Sequence, residues 1–182
     1  MPDRRPSPPL VLALALPLLL AVAVAVAGIV TRGATDPVPD TGPLAVVPVE
    51  APEAGSARCA ALLAALPAQL PAADGPLASR PLAEPAPAGV RAWAAVPGPV
   101  VLRCGLSRPP ELEPASALLQ VNGVQWLELD DGVPDPAVTS YVAVDRPVYV
   151  ALTAPVGSGS GPLQAVSDAV RATLPATEIA AR

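Results

Sequence analysis

The hydrophobic pattern divides the chain into three regions. Residues 10–30, LVLALALPLLLAVAVAVAGIV, form an apolar run without a charge. As a helix this run rises about 31 Å at 1.5 Å per residue, enough to cross a hydrocarbon core of roughly 30 Å. Pro17 removes one backbone hydrogen bond, which membrane helices tolerate. Arg4 and Arg5 precede the run, and Arg32, Asp36, Asp40, Glu50 and Glu53 follow it. Basic residues favour the cytoplasmic side. The pattern therefore predicts a cytoplasmic tail over 1–9, a single transmembrane helix over 10–30 and an extracytoplasmic remainder. The alternative is a signal peptide cleaved near Ala27, where Ala25-Val26-Ala27 precedes Gly28. Residues 31–55 have neither helical nor strand period, and proline recurs at 37, 39, 43, 48 and 52. This composition predicts an extended, semi-rigid Pro-rich linker.

Periodicity returns at Ser56, a predicted helix N-cap. Cys59, Leu63, Leu66 and Leu70 fall on one helical face with Leu62 beside them, and Pro67 ends the regular part. Residues 67–89 hold prolines at 67, 71, 76, 81, 85 and 87 and read as a long loop. Strand texture follows. Val100, Leu102 and Cys104 alternate with Val101 and Arg103, which points Cys104 inward. In LLQVNGVQWLEL, residues 118–129, Asn122-Gly123 predicts a two-residue hairpin turn with positive φ at both positions. Val121 should then oppose Val124, and Trp126 should face position 119. DDGVPDP, residues 130–136, is rich in turn formers. VTSYVAV and VYVALTA read as two more strands joined at Asp145-Arg146-Pro147. A flexible GSGSG, residues 157–161, precedes a last helix started by Pro162. Its apolar stripe is Leu163, Val166, Val170 and Leu174, with Ser167, Asp168 and Arg171 on other faces. The expected fold of residues 56–182 is α+β, a small two-layer domain in which two helices pack on a mainly antiparallel sheet of three to five strands.

Composition narrows the chemistry. Among 182 residues there is no His, no Phe and no Lys, so all 11 basic residues are Arg. Without His and Lys, a Ser-His-Asp triad, a Cys-His pair, Schiff-base chemistry and a P-loop lysine are excluded within this chain. No residue pattern points to a cofactor or a metal site. Net charge is −5 and no basic run exists to track phosphates, which argues against a nucleic-acid partner. Cys59 and Cys104 are the only two cysteines. Inward positions and an oxidising compartment predict that they pair as a disulfide. Buried free thiols and a reactive thiol beside Arg58 or Arg103 are the alternatives.

The ordered set Cys59, Leu63, Leu66-Pro67, Ala92-Trp93, Val101-Leu102-Arg103-Cys104-Gly105, Val121-Asn122-Gly123-Val124, Trp126 and Tyr149-Val150 resembles an actinobacterial family of envelope proteins, the domain of unknown function 3515. The likeness covers about residues 56–175. It implies an anchored or secreted protein of the cell envelope and no particular activity. Two functions follow as expectations. One is a non-enzymatic module that binds an envelope protein or a cell-wall component, with Trp93, Arg103 and Trp126 as partner contacts if those tryptophans are not core. The alternative is a carboxylate-dependent hydrolase of envelope polymers, with Glu128, Asp130, Asp131 and Asp135 as the acids.

Overall fold

The computed structural model describes residues 17–29, 38–130 and 132–180. Residues 17–29 are helical, α1, and Leu18, Leu19, Leu20, Val22 and Ile29 on it are exposed. Among the described residues no helix is long and apolar enough to cross a membrane. The tail 1–9 and residues 10–16 and 30 of the expected span lie outside the described residues. This N-terminal unit is separate from the unit formed by Pro39–Arg182.

In the second unit Ser56 is a helix N-cap. Its backbone is extended and its Oγ accepts the Cys59 N–H. α2 spans Ala57–Ala65 and ends two residues before Pro67, burying Cys59 and Leu62. α3 spans Gly161–Thr173 with Pro162 in its first turn, where a missing N–H leaves no carbonyl unpaired. It buries Leu163, Val166 and Val170, and the Leu174 that follows it is also buried. Between the helices run β1 (Gln69–Leu70), β2 (Leu77–Arg80), β3 (Val90–Trp93), β4 (Val100–Leu106), β5 (Leu118–Val121), β6 (Val124–Leu129), β7 (Val138–Ala143) and β8 (Tyr149–Pro155). They form one sheet in the order β1-β2-β3-β4-β8-β7-β6-β5, and every neighbouring pair is antiparallel. The domain is therefore α+β, with α2 and α3 packed on one face of the sheet through Leu62, Trp93, Leu102, Trp126, Leu152 and Val166.

The sheet has eight strands where three to five were expected. The additional ones lie upstream of β4. The stretch read as a loop over 67–89 contains β1 and β2, and β3 follows it. These strands are two to four residues long and interrupted by proline. Too short to show a period, they form by pairing in series onto β4.

The β5–β6 hairpin has the expected register, with Val121 opposite Val124 and Leu119 opposite Trp126. Asn122 has φ 47° and Gly123 φ 80°, the left-handed pair that a type I′ turn requires. A Cβ added at Gly123 meets only Arg171 Cδ, at 3.4 Å, so a substitution there acts through backbone strain. Gly123→Val should lower stability by about 1–3 kcal/mol. A lower urea midpoint for the full-length chain, with the disulfide intact, is the expected reading. An unchanged midpoint would contradict the turn's role.

Residues 39–55, part of the Pro-rich stretch, contain no helix and only the single bridge at Leu44, but are held against the domain. Arg80 pairs with Asp40 and donates from Nε to Gly42 O at 2.7 Å. The Gly42 N–H, and then Arg80, hold the Asp40 carboxyl below its ordinary value. Leu44 bridges Leu82, and Glu53 N–H donates to Gly105 O at 3.0 Å. Two glycines make room for this strap. A Cβ at Gly89, φ 73°, would lie 2.9 Å from Ala54 Cβ, and one at Gly105, φ 85°, would collide with the backbone of Glu53 and Ala54. From residue 40 onward the stretch expected as a tether is thus a docked strap. Proline keeps it extended, and the glycines let its backbone reach the sheet.

Candidate functional site

The sequence-predicted residues part company in space. Trp93 and Trp126 are fully buried. Trp93 Nε1 donates to Pro67 O at 3.1 Å, and Trp126 Nε1 donates to Ser167 Oγ at 2.9 Å. Ser167, expected away from the core, is itself fully buried and donates to Leu163 O at 2.7 Å. The two indoles are therefore core anchors with satisfied N–H groups. Cys59 and Cys104 form a disulfide with Cα atoms 5.6 Å apart, and it ties α2 to β4 beneath the sheet.

Strand alternation sends Arg103 to the opposite face. Its register neighbours are Val90 on β3 and Ala151 on β8. Next along the same face come Val101 beside Thr153, and Thr153 beside Ser140, whose hydroxyls lie 2.8 Å apart. This face is covered at its two ends. At the β5–β7 end Leu112, Ile179 and Leu118 pack on Leu127 and Val142, and Arg108 donates to the carbonyls of Pro109, Leu112 and Ala180. At the β3–β4 end the strap crosses over. Between them Arg103, Tyr149, Ala151, Thr153 and Ser140 are half-buried.

Arg103 differs from the other described arginines. Arg80, Arg91, Arg108, Arg146 and Arg171 each donate to a carboxylate or a carbonyl. Arg58 is exposed on α2. The Arg103 side chain is half-buried and makes no hydrogen bond or ion pair among the described residues, although the strap that walls it carries Glu50 and Glu53. Burial lowers its pKa, since desolvation disfavours the charged form. Arg103 lines a cleft of about 70 Å³ whose other walls include Val47, Pro48, Val49, Pro87 and Val90. The arrangement is a single guanidinium presented by a rigid central strand in an apolar frame. Such a group is suited to holding a planar anion through parallel N–H donors. Sequence reasoning found Arg103 but missed the strap that walls it. The available signal was glycine at 89 and 105, where a strand end allows another backbone to approach.

The acidic loop forms a separate feature. Glu128 and Asp130 line a groove of about 270 Å³ with Leu129, Pro136, Val138 and Thr139. Both acids are exposed, as is Asp135, and Asp131 lies outside the described residues. Asp130 Oδ1 accepts the Gly132 N–H at 2.8 Å, a loop-shaping bond. Glu128 faces Tyr141 across the β6–β7 ladder. Burial, and then the Glu128 charge, raise the Tyr141 pKa. A glycosidase acid needs a carboxyl held in a desolvated cleft, which these exposed positions do not provide. Among the described residues no group of three or more Cys, Asp or Glu side chains is placed to hold a metal ion.

No curated protein and no solved structure matches this chain. A family model described as "Protein of unknown function (DUF3515)" matches residues 13–179, most of the sequence including the whole sheet and both packed helices, and the chain belongs to that family.

Proposed function

We propose that this protein is a membrane-tethered component of the actinobacterial cell envelope whose outer domain binds a partner through the open part of its sheet. Support for the tether comes from the uncharged run 10–30, the arginines before it and the uncovered apolar side chains of α1. The remainder is extracytoplasmic, where the Cys59–Cys104 disulfide persists. Cleavage near Ala27 would release the same domain, and mass measurement of the mature N-terminus separates the two routes.

Partner binding rests on one observation, the half-buried Arg103 that no described carboxylate or carbonyl satisfies. Structural arginines are paired, because an unpaired half-buried charge gives up solvation without return. Arg103→Met keeps the apolar stem and removes the charge. It should leave stability within about 0.5 kcal/mol, as for a side chain without a fold-stabilising contact. The functional test places a photo-crosslinking amino acid at Ala88, an exposed residue on the cleft rim, in the full-length protein in its own cells. A discrete crosslinked band is expected that Arg103→Met abolishes and that a control position at Ala172, exposed on α3, does not give. Equal bands from both positions, insensitive to Arg103→Met, would defeat the reading.

A further inference from the structure

We propose that the Arg103 cleft is a receptor for one carboxylate carried by a small apolar peptide segment, an inference that rests on the partner-binding reading above. The charge identifies the sign of the ligand. Arg103 is the half-buried cation without an acceptor among the described residues, so its complement is an anion. The number of donors identifies the class. One planar guanidinium matches one carboxylate with two parallel N–H···O bonds. A phosphate carries more charge and more acceptor oxygens, and no second cation lines the cleft to meet them.

Size and lining restrict the rest of the ligand. The cleft holds about 70 Å³. Space of that size takes a few water molecules, and so suits a carboxylate with one or two carbons behind it. The cleft is lined largely by apolar residues, among them Val47, Pro48, Val49, Pro87 and Val90, whose side chains offer no hydrogen-bond partner and favour an alkyl group over a sugar hydroxyl. The end of a chain finishing in alanine and the tip of an aspartate share this chemistry. Frame rigidity adds to the fit. The strap is held by Asp40–Arg80 on one side of the cleft and by Glu53–Gly105 on the other, so its walls are in place before a ligand arrives.

The test uses the full-length protein in phosphatidylcholine nanodiscs and follows the Arg103 Nε–Hε signal by NMR, assigned by its loss in Arg103→Lys. Four probes are titrated to millimolar concentration: acetyl-Ala-Ala-Ala with a free carboxylate, its C-terminal amide, acetyl-Ala-Asp-Ala amide, and inorganic phosphate. A saturable shift is expected with at least one carboxylate peptide, none with the neutral amide, and at least tenfold weaker binding for phosphate. Response to the free acid identifies a chain terminus as the source, and response to the aspartate peptide identifies a side chain. Arg103→Met removes the reporter, so its binding is read by titration calorimetry: it should bind the responding peptide at least tenfold more weakly, while the Nε–Hε signal of Arg91, whose Nη2 donates to Leu63 O, stays in place as the folding control. No saturable shift with either carboxylate, or an equal shift with the neutral amide, would overturn the assignment. Failure here with an Arg103-dependent crosslink at Ala88 leaves partner binding standing and rejects only the ligand class. Loss of that crosslink together with a carboxylate response rejects the macromolecular partner instead.

Discussion

Removing the Cys59–Cys104 bond should lower the stability of the α+β domain by about 2–4 kcal/mol. The sulfurs join positions 45 residues apart, and both cysteines are buried. Closing a loop of that length in the unfolded chain predicts roughly 4 kcal/mol from lost entropy, an upper figure for a real bond. The estimate concerns the unfolded state, so it is unaffected by the three strands, β1 to β3, that the loop contains once folded. What those strands change is the folded side. α2 stays tied to the sheet by Arg91 donating to Leu63 O at 3.1 Å and Trp93 donating to Pro67 O at 3.1 Å. The reduced protein should therefore remain folded and be weaker, rather than lose α2 alone. Both tryptophans of the chain are buried in this core, so their fluorescence reports its unfolding directly. Urea titrations of the oxidised, reduced and Cys59→Ala/Cys104→Ala forms make the comparison. A reduced form within about 0.5 kcal/mol of the oxidised one would show that the bond is incidental.

Arg146→Met should be of similar or larger consequence, about 3–5 kcal/mol, the range for removing one partner of a buried pair. Arg146 and Asp145 form the turn between β7 and β8, and their side chains are 2% and 11% exposed. The guanidinium reaches Asp145 Oδ2 at 2.8 Å and Asp145 O at 2.9 Å, and donates to Gly123 O at 2.8 Å. One side chain thus secures its own turn and fastens it to the β5–β6 hairpin. Asp145 O also accepts the Thr177 N–H at 2.9 Å, which brings the C-terminal segment to the same place. Without Arg146 the Asp145 charge stays buried with no cation, and the Gly123 carbonyl loses its donor. Asp145 Oδ1 and Arg146 Nε have no partner among the described residues, so the pair is already incompletely satisfied. The double variant Asp145→Leu/Arg146→Met should consequently be less damaging than Arg146→Met alone. Equal losses for the single and double variants would show that the hairpin contact, and not the charge pair, carries the effect.

Much of this fold is legible in the residues because much of it is local. Asn122-Gly123 specifies its own turn, since positive φ is a property of those two residues and of no distant contact. Ser56 caps a helix from three residues away, and Pro67 limits that helix from the residue after its cap. The last helix is readable from Pro162 and from an apolar stripe at 163, 166, 170 and 174. The cysteine pairing was readable for a different reason: two residues allow one partner each.

Distance along the chain marks where this legibility stops. β1 to β3 are too short to announce themselves and exist because β4 offers an edge to pair with, the product of residues tens of positions away. Ser167 falls on a polar position of its helix by periodicity alone, and only the arrival of the Trp126 indole from the sheet explains its burial. The strap is proline-rich and aperiodic by itself. Its docking depends on Arg80 of β2, Gly89 in the turn before β3 and Gly105 of β4. Arg103 is the sharpest case. Alternation along β4 placed it opposite Cys104, on the face away from the helices, as the amino-acid pattern alone requires. Whether an acid would meet it there was a question of tertiary packing. The strap that walls it carries Glu50 and Glu53, and neither pairs with it. Local sequence sets backbone dihedrals and the side of a sheet to which a side chain points. The company that side chain keeps is set by segments the chain brings together only on folding, and for Arg103 that company includes no acceptor among the described residues.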